Sequence, residues 1–113
     1  MVQNRNKLIN LFIGNISNSI IHKILEKAID DKEIANRYEK ELITSFEVAK
    51  RYRSKINPAN IILPDKDIKY IRDRIIKNVR SDLLMRIKKG YKNINLNLIE
   101  ELVDRFLKET KVI

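Results

Sequence analysis

The chain has no cysteine, a single histidine, two glycines and two prolines in 113 residues. Without cysteine there are no disulfides, no thiolate metal ligands and no thiol nucleophile. One histidine, His22, cannot build a typical zinc site, and it leaves little for general acid–base chemistry near neutral pH. Gly14 and Gly90 are too few for a phosphate-binding loop or a dinucleotide fingerprint. So few Gly and Pro residues also leave little material for tight turns, which predicts few and long elements.

Acidic residues are absent in a more telling way, because they are missing from one stretch only. Residues 1–47 carry seven Lys/Arg and seven Asp/Glu, whereas residues 50–92 carry fourteen Lys/Arg against Asp65, Asp67, Asp73 and Asp82. The net charge of +9 therefore originates in the middle of the chain. Twenty Ile, fifteen Lys and twelve Asn fit an AT-rich coding bias, but such a bias does not remove acids from a single segment. A local excess of cations predicts a surface that attracts a polyanion.

The apolar residues follow helical steps of three and four. Ile9, Phe12, Ile13, Ile16, Ile20, Ile24 and Ala28 form one stripe over 6–29, interrupted at Gly14-Asn15, so one bent helix or two are equally allowed. Asp30-Asp31 follows as a cap for a helix to about Lys55, carrying Ile34, Tyr38, Leu42, Phe46, Ala49 and Tyr52. Asn57-Pro58 ends it, because a residue before proline avoids the α region. Residues 57–64 then read as the one long irregular loop, pinned by Ile61, Ile62 and Leu63. Asp65 or Asp67 caps a third helix with Ile68, Ile71, Ile75, Val79, Leu83 and Ile87 inward, ending at Gly90. Asn97 with Glu100 resembles a capping box opening a last short helix with Leu98, Ile99, Leu102, Val103, Phe106 and Leu107.

The fold expected is all-α: residues 1–113 as one compact bundle of four to five helices, with the two longest packed antiparallel across the 57–64 loop. The N-terminal stretch lacks an uninterrupted apolar run long enough for a signal peptide or a membrane span, which predicts a cytoplasmic protein with no membrane association.

On a helix, an acid four residues from a base accounts for both. Glu33–Arg37, Glu47–Arg51, Asp73–Lys77, Asp82–Arg86, Glu101–Arg105 and Asp104–Lys108 fit that spacing and read as solvated faces. Arg72, Arg74, Arg80, Lys88 and Lys89 have no acid at three or four residues, and Arg53, Lys55 and Lys92 flank the third helix unmatched. At 100° per residue, Lys69, Arg80, Lys77, Lys88 and Arg74 fall within an arc of about 140° opposite the Ile stripe. Tyr70 shares that arc and Tyr91 follows its end.

A cationic ridge with interleaved tyrosines suits phosphate contact with base or sugar stacking. The expectation is a non-catalytic accessory protein that contacts DNA or RNA backbone with weak sequence specificity through Arg53, Lys55, Arg74, Lys77, Arg80, Lys88, Lys89, Tyr91 and Lys92. The alternative is a helical adaptor, or a small subunit of a larger assembly or oligomer, that docks an acidic protein partner on the same face. Exposed apolar ends at Leu8, Leu11, Phe12 and Val112-Ile113 would favour that alternative. No catalytic group, metal or cofactor is expected. His22 with Glu26 four residues on reads as an ordinary boundary pair, and the Asp30/Asp31 and Asp65/Asp67 pairs read as caps.

Overall fold

A computed structural model describes residues 4–58 and 61–113; of the loop expected at 57–64, Ala59 and Asn60 lie outside the described residues. Four helices follow one another: α1 Arg5–Ala28, α2 Lys32–Ile56, α3 Asp65–Lys88 and α4 Ile99–Glu109, the last entered through a 3-10 turn at Leu96–Leu98. No strand occurs among the described residues, and the protein is an all-α bundle.

The bundle is organised around α1. Helix α1 runs unbroken through Gly14-Asn15. The Asn15 side chain turns back onto the Leu11 carbonyl at 2.8 Å rather than capping a new start. It buries Leu8, Ile9, Phe12, Ile13, Ile16, Ile20, Ile21, Ile24 and Leu25, together with Ser17, Ser19 and His22. That covers nearly the whole circumference, leaving a narrow strip of Asn10, Gly14 and Asn18 in solvent. A helix that is apolar almost all round must be covered by others. Here α2, α3 and α4 all pack against it. By length and mean hydropathy (1.2) α1 would also suffice to cross a membrane, although charged and polar residues interrupt its apolar run; 67% of its most apolar stretch is buried inside the bundle.

This central position corrects one expectation. Helices α2 and α3 do not form the antiparallel pair expected from their short connection, because each lies against α1 and they make at most marginal contact with each other. Within residues 61–64 Leu63 is the one buried side chain, 1% exposed, while Ile61 and Ile62 stand out at 51% and 81%.

Helix ends follow local chemistry. Asp31 accepts the Glu33 and Ile34 amides at the start of α2, as its position predicts. Neither Asp65 nor Asp67 caps α3. Pro64 occupies that position, its carbonyl taking the Asp67 and Ile68 amides, and the two acids lie in the first turn, where the helix dipole favours them. The capping asparagine before α4 is Asn95, not Asn97: its side chain accepts the Asn97 amide and starts the 3-10 turn. Helix α3 ends in a tight C-cap. The Gly90 amide reaches the Ile87 carbonyl and the Tyr91 amide reaches that of Arg86, with Gly90 at φ 106°, a conformation glycine adopts without cost.

Candidate nucleic-acid interface

Helix α3 touches the rest of the molecule through Ile71, Ile75, Val79 and Leu83, all fully buried at four-residue steps. Ile68 is half-buried and Ile87 is exposed, so the stripe expected to face inward is shorter at both ends. Everything opposite that stripe is in solvent: Lys69, Tyr70, Arg74, Lys77, Arg80, Leu84 and Lys88. From Arg74 to Lys88 the ridge extends about 21 Å at the helical rise of ~1.5 Å per residue.

Three of the four acids of this segment are spent on other bases, and Asp65 stays exposed without an ion pair among the described residues. Asp67 pairs with Arg5 at the start of α1, Asp73 with Lys69 at 2.7 Å, and Asp82 with Arg86 at 2.6 Å. Arg72, unmatched within its own helix, is neutralised from α4 by Asp104 at 2.7 Å. That hydrogen bond and the carboxylate's charge hold the Arg72 guanidinium above its ordinary pKa against the opposing effect of burial. Arg74, Lys77, Arg80, Lys88, Lys89 and Lys92 are left, with Lys66 in the first turn, all exposed and none with a carboxylate oxygen within 4 Å among the described residues. Of the six pairs expected at four-residue spacing, Asp82–Arg86 forms; Glu47 pairs with Lys50 and Arg105 with Glu109 instead.

Two residues expected in the interface do not join it. Arg53 is 1% exposed. Its guanidinium donates to the carbonyls of Lys111 (2.9 Å), Ile61 (3.2 Å) and Asn57 (3.3 Å) and to the Asn57 side-chain oxygen. It thereby ties the end of α2, the following loop and the C-terminal tail together. Burial lowers its pKa, and no donor is left to reach a ligand. Lys55 is exposed but sits in the last turn of α2, its ammonium 5.7 Å from the Tyr52 ring. The chain enters α3 from that end, whereas Lys88, Lys89 and Lys92 lie at the far end of a helix ~36 Å long.

Tyr91 and Lys92 project from the turn that closes α3, both exposed. The Arg86 guanidinium lies 5.6 Å from the Tyr91 ring centroid. Arg86 is fixed in turn by Asp82: partial burial would lower its pKa, but that hydrogen bond and charge outweigh burial and raise it. Tyr70, at the other end of the ridge, donates to the Asn10 side-chain oxygen at 3.2 Å.

The apolar chain ends do not supply a docking face. Leu8, Phe12 and Val112 are buried, Leu11 is half-buried and only Ile113 is open. Exposed apolar side chains occur instead at Ile43 on α2, at Ile61 and Ile62, and as a group on the last turns of α3, at Leu84 (48%), Met85 (59%) and Ile87 (39%). Helical spacing puts Leu84 between Arg80 and Lys88, each four residues away.

His22 is a strut between α1 and α2. Its Nδ1 lies 2.8 Å from the Asn18 carbonyl and its Nε2 lies 2.7 Å from Glu41 on α2, not from Glu26 as its spacing suggested. No group of three or more Asp, Glu or His is placed to hold a metal among the described residues.

No family model, no curated protein and no solved structure matches the chain.

Proposed function

We propose that this protein is a non-catalytic, nucleic-acid-binding accessory factor that grips phosphate backbone through the solvent face of α3. One observation carries the reading: Arg74, Lys77, Arg80, Lys88, Lys89 and Lys92 share the exposed side of one helix and its closing turn while three of the four local acids neutralise other bases. Contacts of this kind are to phosphates and carry little sequence information. The acidic start of α4 (Glu100, Glu101) argues against insertion of a recognition helix into a major groove. The test is binding to single- and double-stranded DNA and RNA across a salt series. Log K should fall linearly with log salt by about 0.7–0.9 for each phosphate engaged. Absence of binding even at low salt refutes the reading.

A second reading, an adaptor that docks an acidic protein, is favoured by Leu84, Met85 and Ile87, which add apolar contact to the cationic end of α3. Co-purification from native extract with and without nuclease separates the two. A partner lost on nuclease treatment is bridged by nucleic acid, and an acidic protein retained through it favours the adaptor.

A further inference from the structure

Resting on the nucleic-acid reading, a cleft beside the ridge adds a second kind of contact. It has a volume of about 230 Å³ and lies where the α1–α2 connection meets the turn after α3. Leu25, Ala28 and Ile94 give it apolar lining, and both Tyr38 and Tyr91 line it too. Its volume is below the roughly 300–1,000 Å³ of drug-sized sites, a scale suited to one flat ring system.

Three features point to its ligand. The Tyr91 ring is held in place: the Asp82–Arg86 pair lies against it, and the amide bonds of the C-cap fix its backbone. A tyrosine preorganised in this way offers a stacking surface at little entropic cost. Lys92, exposed and unpaired, lines the same cleft and continues the row of cations from Lys88 and Lys89. The cleft also offers hydrogen-bonding groups of both kinds at its rim: Lys92 and Asn93 carry N–H donors, and Asp30 and the Asn93 side-chain oxygen accept.

We infer that this cleft receives one unstacked nucleobase, stacked on Tyr91, from a single strand whose phosphates lie on the α3 ridge. In a duplex both faces of a base are stacked on its neighbours and must be freed at a cost before one can meet Tyr91, so the cleft makes the protein prefer single strands.

The experiment titrates the full chain into a single-stranded 12-mer carrying 2-aminopurine, a fluorescent base, and into its duplex. The wild type should quench the fluorophore and prefer the single strand. Tyr91→Ala should abolish quenching and weaken single-strand binding by roughly 5- to 150-fold, the range seen for loss of one stacked base; Tyr91→Phe, which keeps the ring, should retain both. Single-strand binding with a normal salt slope but no quenching, or unaffected by Tyr91→Ala, overturns the cleft while leaving the ridge in place. If the wild type binds no oligonucleotide at any salt, the ridge reading fails, and titration with adenosine monophosphate decides the cleft alone. Amide shifts at Leu25, Ala28 and Tyr91 keep it, and no shifts remove it.

Discussion

Helices α1 and α3 are both 24 residues long, yet they relate to solvent in opposite ways. Helix α1 buries half its residues around almost its whole circumference, while α3 buries four along one line and leaves most of the others exposed. A helix at the centre of a bundle is read by its neighbours, so its sequence is constrained by packing. A helix on the outside is constrained by packing along one line only. The remaining positions of α3 are free to carry charge, and they carry eight Lys/Arg against four Asp.

The largest effects should come from the shared seam between these two helices. Leu83→Ala or Ile75→Ala removes a fully buried side chain and should cost about 2–5 kcal/mol in chemical denaturation, the usual range for a core truncation. If either variant melts like the wild type, α3 is not anchored as described.

Arg53 tests whether a base can belong to the interior in the same chain. Arg53→Met keeps the volume but orphans the carbonyls of Asn57, Ile61 and Lys111. It should cost about 1–3 kcal/mol, the penalty for unsatisfied buried groups. Its affinity for nucleic acid, measured on the folded protein, should stay at the wild-type value. A binding loss without a stability loss would return Arg53 to the interface.

Gly14 sharpens the contrast from the other side, on the one strip of α1 that faces water. A methyl group there would meet nothing within 4 Å, so Gly14→Ala should stabilise the fold by about 0.5–1 kcal/mol through helix propensity. Destabilisation would mean that the exposed strip is covered by something.

The sequence carried the helices and most of the core because helical periodicity and caps are local signals. Asp31, Gly90 and the Ile71–Leu83 stripe act within a few residues of themselves. What it did not carry depends on groups distant in the chain or without a side-chain signature. Arg53 looked like a surface base because its partners are main-chain carbonyls, up to 58 residues away, and any residue type supplies those. Arg72 looked free because Asp104 reaches it from another helix. The α2–α3 pairing failed because loop length fixes which helices follow one another, not which one lies between them. Tyr38 was read as core, and its place beside Tyr91 follows only from the meeting of two connections at one end of the bundle.

The central claim is that the outer face of α3 is a binding surface and not a structural one. The double reversal Arg80→Glu with Lys88→Glu tests it most directly, measured by melting and by oligonucleotide binding in one salt series. Stability should stay within about 0.5 kcal/mol for each exposed site. Binding should collapse at low salt, and whatever remains should show a salt slope shallower by roughly 1.4–1.8, the share of two phosphates. A variant that melts as early as Leu83→Ala, or that binds nucleic acid as the wild type does, would contradict the account.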